Sequence, residues 1–313
     1  MQFFDSAATR AALGFDRLIP ALRELFASGC EVPARHVHTV GDPGGGAMTL
    51  LLMPAWQPGG CLGLKTVAIA PGNAARGLPG LHSTYLLFDA RTGVPLAQMD
   101  GDEITSRRTA AASALAASFL APPQASRLLV LGSGRVASLL PQAYREVRGI
   151  ARVDVWSRHA DHARALAARL AGQGFDAHAV ADLAGACAQA DIVSCATLST
   201  QPLVRGEWLQ PGSHLDLIGS FTPEMREADD ACLQGAALYV DTLEALCKSG
   251  DLAGPLARGL ISEAGVAGTL ERLCRDGRPG EGGATRTVFK SVGTALEDLA
   301  AALQVWRAAS GKA

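Results

Sequence analysis

The chain has 313 residues, of which 48% are hydrophobic, 19% charged and 5% aromatic. That length suggests two domains, and a mean hydropathy of +0.17 excludes disorder over most of the chain. Lys+Arg 28 against Asp+Glu 30 leaves no basic footprint for nucleic acid or for an anionic membrane, and the scarcity of aromatics argues against a base-stacking surface. No apolar run reaches the roughly 18 residues of a membrane span. The N-terminus has Asp5 and no basic segment, so it is not read as a signal peptide. The seven cysteines are scattered, with no CxxC pair and no Cys/His cluster. They are expected to be reduced thiols in a cytoplasmic protein.

Residues 5–29 carry apolar positions at helical spacing, and Gly29 is a plausible stop. Strand patterns follow at Met48–Met53, Gly63–Ile69, Ser83–Asp89 and Val94–Met99, with Arg91-Thr92-Gly93 as a hairpin loop. Strands in succession without helices predict an antiparallel sheet. The Ala-rich segment Thr105–Leu120 is predicted helical, and Pro122-Pro123 ends it. A domain boundary is placed there.

Beyond it the pattern becomes strand, helix, strand. Strands are predicted at Arg127–Leu131, Arg152–Trp156, Asp191–Ala196, His214–Ile218 and Leu238–Val240, and helices at Val136–Val147 and Asp161–Leu170. This alternation predicts an α/β fold with a doubly wound parallel sheet of Rossmann type, next to an α+β N-terminal domain. Arg275–Arg286 reads as an exposed polar loop, and Val288–Ala309 as a last helix. The domains are therefore 1–121 with 288–313, and 122–287.

The strand Arg127–Leu131 runs into Gly132-Ser133-Gly134-Arg135-Val136-Ala137, a GxGxxA turn that opens a helix. The first glycine makes the turn, the second admits a pyrophosphate, and the small third residue lets helix and strand pack. All six residues are candidate cofactor contacts. The next strand ends at Trp156-Ser157-Arg158 with no acid at its tip. An acid there would bind the ribose of NAD, whereas Ser157 and Arg158 suit the 2′-phosphate of NADP. NADP(H) is therefore preferred, with NAD(H) as the alternative. Thr197, at the end of the first strand of the sheet's second half, falls where open sheets bind ligands.

Several stretches resemble the ornithine cyclodeaminase/mu-crystallin family. They are Arg35 after Val32-Pro33, LLLMPAW (50–56), GLKTV (63–67) with Pro71 and Asn73, DARTGVPLAQMD (89–100), ITSRRTAAASALAA (104–117), LGSGRVA (131–137), GSFTPEMREAD (219–229), SGDLAGPL (249–256) and TVFKSVGTALEDLAAA (287–302). They occur in family order across nearly the whole chain. The GxFTPxMRE version is similar to the branch that reduces cyclic ketimines such as Δ1-pyrroline-2-carboxylate.

The resemblance implies a homodimer and a C-terminal helix that returns to a substrate-binding first domain. It also implies nicotinamide-dependent chemistry at the α-carbon of a small amino or imino acid. Position by position, the family's carboxylate cradle matches Arg35, Lys65 and Arg108. The residue chemistry agrees, because Arg recognises carboxylates in a bidentate manner and Lys adds a point charge. Only four lysines occur among 28 basic residues, leaving 24 arginines (28 − 4), so a lysine kept in an apolar strand stands out. Lys65 is also the candidate proton donor, since burial would lower its pKa. Arg107, beside Arg108, is expected in a structural ion pair. Lys290 matches a family signature and either approaches the cofactor or packs at a helix start. Asp298 reads as structural.

Ornithine cyclodeaminases carry an Asp at the position matched by Phe221. A phenyl ring cannot hold an ammonium, so Phe221 is read as a substrate contact for an uncharged ring. The leading expectation is NAD(P)H-dependent reduction of a cyclic imino acid, Δ1-pyrroline-2-carboxylate or Δ1-piperideine-2-carboxylate, to the L-amino acid. One alternative is ornithine cyclodeaminase with bound NAD, and another is a crystallin-like NADPH-binding protein. The seven histidines form no metal constellation, so no metal is expected.

Overall fold

The computed structural model describes residues 1–41, 47–277 and 285–310. The chain divides into two compact units, Met1–Arg108 with Thr294–Ala313, and Thr109–Gly293.

The first unit is built on a six-stranded sheet: β1 (Gln2–Phe4), β2 (His36–Gly41), β3 (Ala47–Trp56), β4 (Cys61–Ile69), β5 (Leu81–Asp89) and β6 (Pro95–Asp100), in the order β1-β6-β5-β4-β3-β2. All pairs are antiparallel except β1 with β6. The predicted antiparallel strands are therefore present, and the edge strands β1 and β2 are additional. Gly93 takes φ 72° in the β5–β6 hairpin, as the turn requires. The single predicted N-terminal helix is two, α1 (Ser6–Ala12) and α2 (Phe15–Ser28), broken at Leu13-Gly14; Gly29 ends the second at φ 79°. The C-terminal helix (Ala295–Ser310) packs across β3 and β4 and against α2.

Alternation along β4 sets the chemistry of this unit. Gly63, Lys65 and Val67 point to the buried face. The register aligns Met53, Lys65, Tyr85 and Met99 across β3, β4, β5 and β6, and all four are buried. The face that buries Lys65 is thus otherwise apolar.

The helix α3 (Gly101–Leu120) spans the divide between the units, which falls after Arg108 rather than after the helix. The second unit has eight parallel strands: β7 (Arg127–Leu131), β8 (Arg152–Trp156), β9 (Asp176–Ala179), β10 (Ile192–Cys195), β11 (His214–Leu217), β12 (Ala237–Val240), β13 (Val266–Thr269) and β14 (Thr287–Lys290). Their order is β13-β12-β14-β11-β10-β7-β8-β9. The chain winds outward from β7 through β8 to β9, then returns to β10 on the other side, so β7 and β10 flank the topological switch point. The helices α4 (Arg135–Arg145) and α5 (Ala160–Ala171) follow β7 and β8.

Two sequence expectations are corrected here. Val288–Lys290 do not start the last helix but belong to a wholly buried strand, Thr287–Lys290, paired with β11 and β12. The second unit therefore extends to Gly293, and the returning segment begins at Thr294. Arg275 and Asp276 belong to a helix, Leu270–Asp276, rather than to a loop; positions 278–284 of the expected loop lie outside the described residues. No helix among the described residues is long and apolar enough to cross a membrane.

Candidate active site

In the first unit, two cations and two carboxylates share one buried cluster. Lys65 Nζ lies 2.6 Å from Asp298 Oδ2 in a buried ion pair. Arg108 Nε donates to Asp298 Oδ1 at 3.0 Å, and Arg108 Nη1 donates to Glu297 Oε2. Asp298 and Glu297 are wholly buried at the start of the C-terminal helix. Asp298 thus bridges the lysine of β4 and the arginine of α3. Lys65 and Arg108, grouped by the family resemblance as carboxylate ligands, both contact Asp298 in the structure. Asp298 holds both, a part that periodicity does not reveal.

Burial pushes the Lys65 ammonium down to about 8; Asp298 opposes this shift and Arg108 adds to it. The Tyr85 hydroxyl is buried in the same unit with no hydrogen-bond partner among the described residues, and burial followed by the Asp298 charge raises its pKa. Gly63 makes room for it, since a Cβ there would lie 1.8 Å from Tyr85 Oη. Arg107 has the expected structural part: it pairs with Glu103, donates to the Leu13 carbonyl and lies over the Phe15 ring. Arg35 is half-buried immediately before β2. The first pair of that strand is His36 with Leu52, one residue from the Met53–Lys65 rung.

In the second unit, the glycine turn fits the pyrophosphate of a dinucleotide. Gly132 adopts φ 114°, and a Cβ there would sit 2.4 Å from the Ala196 carbonyl oxygen. Only glycine serves both the backbone angle and the close approach to the chain after β10. Gly134 is the opposite case, because a Cβ there meets nothing within 4 Å, so the space beside it is open to a ligand. No side chain caps α4 at Gly134, and the helix N-terminus is available to an anion. Ala137 is fully buried where helix and strand meet. Gly132, Ser133, Gly134, Arg135, Val136 and Ala137 would together hold the pyrophosphate.

Ser133 Oγ lies 3.3 Å from Ser157 Oγ, which joins the turn to the tip of β8. Arg158 is exposed there. Asp154 is buried and paired with Arg152 at 3.1 Å, so it is not a ribose-binding acid at the strand tip.

The remaining residues fall differently. The Thr197 hydroxyl and N–H both donate to Glu227 Oε1, so the side chain is committed within the protein. Lys290 does not reach the surface. It is wholly buried on β14, donates to the Leu217 carbonyl at 2.9 Å and lies 3.6 Å from Asp251 Oδ2. The reading of Lys290 as a cofactor contact is therefore corrected to a part inside the sheet. Phe221 is half-exposed just beyond β11. Glu227, which no sequence pattern marks, is a further buried acid: burial pushes its carboxyl up, while Lys290 and the Thr197 donors oppose the shift and favour the carboxylate.

An open glycine turn at the switch point of a doubly wound parallel sheet, accompanied by a separate unit that buries a lysine–arginine pair, defines a dinucleotide-dependent oxidoreductase. The chain belongs to the ornithine cyclodeaminase/mu-crystallin family, whose model matches residues 10–313. It is similar to a Δ1-pyrroline-2-carboxylate reductase from Paracoccus denitrificans, 41% identical over 315 residues, which cover 99% of this chain and 98% of that protein. It is also similar to the solved structure of Thermococcus litoralis Δ1-pyrroline-2-carboxylate reductase in complex with NADH and L-proline, with a TM-score of 0.92 and 29% identity over 99% of this chain and 98% of the other. An archaeal alanine dehydrogenase dimer with bound NAD matches with a TM-score of 0.90 and 28% identity, covering 100% of this chain and 97% of the other.

Proposed function

We propose that the protein reduces a cyclic imino acid, Δ1-pyrroline-2-carboxylate or Δ1-piperideine-2-carboxylate, to the corresponding L-amino acid, preferring NADPH. The observation that carries this reading is the buried cluster of Lys65, Arg108, Glu297 and Asp298. Its formal charges sum to zero. A neutral zwitterion, such as a cyclic iminium carboxylate, adds no net buried charge to it, whereas a substrate with an extra ammonium or carboxylate does. The reductases among the relatives support the same substrate class.

In this reading Lys65 and Arg108, with Arg35, orient the substrate carboxylate. The bound dinucleotide supplies hydride to C2. Hydride addition to the iminium leaves a neutral ring amine, and Lys65 Nζ, its ammonium lowered to about 8 by burial, then gives that nitrogen the proton that makes the product's ammonium and is itself left as the amine. Phe221 meets the uncharged part of the ring, and Arg158 with Ser157 receives the 2′-phosphate. The archaeal dimer supports a homodimer. A cytoplasmic location is part of the proposal, on the scattered cysteines of the sequence.

The test is to follow cofactor absorbance with pyrroline-2-carboxylate, piperideine-2-carboxylate, pyruvate plus ammonia, and L-ornithine. Fastest turnover of a cyclic imine is the expected result. Turnover of none of them, with NADPH still bound, would favour the crystallin-like binding protein.

A further inference from the structure

Glu227 is wholly buried in the segment that follows β11, and its carboxylate joins two strand ends. Oε1 accepts from the Thr197 N–H at 2.7 Å and from the Thr197 hydroxyl at 2.8 Å. Oε2 accepts from the Gly219 N–H at 2.6 Å. Thr197 lies two residues past β10, and Gly219 two residues past β11. The junction is tight, because a Cβ on Gly219 would fall 1.8 Å from the Thr197 carbonyl oxygen and 2.5 Å from Glu227 Oε1.

A second buried layer fixes the clamp. The Glu227 and Ala228 N–H groups both donate to Asp251 Oδ1, at 2.8 and 3.1 Å. Asp251 Oδ2 faces Lys290, and Lys290 is itself bound to the last carbonyl of β11. So much buried charge at the carboxyl edge of a sheet is expensive to desolvate and finds its use in fixing geometry.

Immediately outward of the clamp, the two strand ends carry Leu198 and Phe221, which are 74% and 49% exposed. Both lie on the half of the sheet beyond the switch point. In a doubly wound sheet, the first half and its glycine turn take the adenosine and the pyrophosphate, and the second half takes the other nucleotide.

We propose that Glu227 is a positioning residue for the nicotinamide half of the dinucleotide: by tying Thr197 to Gly219 it fixes the two apolar arms, Leu198 and Phe221, against which that half seats. The proposal rests on the dinucleotide reading of the glycine turn. Glu227→Gln is a sharp probe. All the backbone groups that reach Glu227 are donors, so wherever the new NH2 lies it confronts an N–H of Thr197 or Gly219, and one strand end is released.

The experiment measures binding through quenching of tryptophan emission, without turnover. Two ligands are compared: the reduced dinucleotide that the wild type binds more tightly, and the matching ADP-ribose fragment, which lacks nicotinamide. Glu227→Gln should weaken the dinucleotide about tenfold and leave the fragment within about twofold. Thr197→Val, which removes the hydroxyl's bond to Glu227 and its longer bond from the Ser199 N–H but keeps the backbone bond to Glu227, should show the same selectivity with a smaller loss of about threefold, and it decides the matter if Glu227→Gln does not fold. Equal loss on both ligands, or loss on neither, overturns the positioning role while the dinucleotide reading stands. A wild type that binds neither ligand overturns both.

Discussion

Lys65 Nζ and Asp298 Oδ2 approach to 2.6 Å across the first unit, from strand β4 and from the C-terminal helix, and both side chains are closed to solvent. Two residues 233 positions apart (298 − 65) thus form one buried ion pair. Burial lowers the Lys65 pKa and Asp298 raises it, so the value of about 8 is a balance between them.

That balance predicts a pH profile. Imine reduction should fall as pH rises through about 8, where Lys65 loses its proton. In Asp298→Asn the raising influence is gone, so the fall should begin at lower pH. The measurement is kcat/KM against pH for both proteins, and coincident profiles would remove Lys65 as the proton source. Stability carries its own sign. The Lys65 pKa is lower in the folded than in the unfolded chain, so between about 8 and the ordinary 10.5 the unfolded state binds more protons. This group's contribution is present above that window and is lost as pH falls through 8.

Arg108 binds Glu297 and Asp298, so its removal has two effects that must be separated. Arg108→Ala leaves two buried carboxylates short of a cation and should cost about 3–5 kcal/mol of stability. Adding Glu297→Gln removes one of those charges and should recover much of the melting temperature. Substrate affinity should stay low in both variants, because neither restores the guanidinium. Recovery of substrate KM along with stability in the double variant would make Arg108 purely structural.

At the other site, Arg158 is exposed past β8 and Asp154 is held by Arg152. NADPH should therefore bind more tightly than NADH, and Arg158→Ala should erase most of the difference, about 10- to 100-fold. Direct titration of both dinucleotides checks this, and equal affinities in the wild type would end the assignment.

How far the sequence reveals these features depends on how local their causes are. The strand before the glycine turn is found residue for residue, because a short apolar run bounded by Gly is a local signal. Lys65 stands out as one of four lysines in an arginine-rich chain, set in an apolar strand, and the structure buries it. At Val288–Lys290 the helical run that follows dominates the periodicity and points to a helix start, although two β-branched residues and a phenylalanine in Thr287–Lys290 favour the strand that forms. Glu227 sits in a polar stretch without period, and Asp298 on a helix that reads as ordinary. Their burial arises from contacts 30 and 190 residues away, which no local pattern records.

The proposed choice of reduction over cyclodeamination turns on Phe221. A cyclodeaminase must handle a second amine, and the family's aspartate for that purpose is absent at this position. The neighbouring acids do not replace it. Asp229 caps a turn by accepting from the Gly206 and Cys232 N–H groups, and Asp230 is paired with Arg226 and Arg258. A δ-ammonium brought against the Phe221 ring would be desolvated without a partner. L-Ornithine should therefore yield little proline or ammonia with either NAD or NADP, while a cyclic imine is reduced. Phe221→Asp should lower kcat/KM for the imine, because it places a charge beside an apolar ring. It need not create a cyclodeaminase, since one group rarely rebuilds a site to the required precision. Assays of ammonia and proline on wild type and variant are the measurement. Proline formation from ornithine at a rate comparable to imine reduction in the wild type would restore the cyclodeaminase reading and leave Phe221 as a bystander.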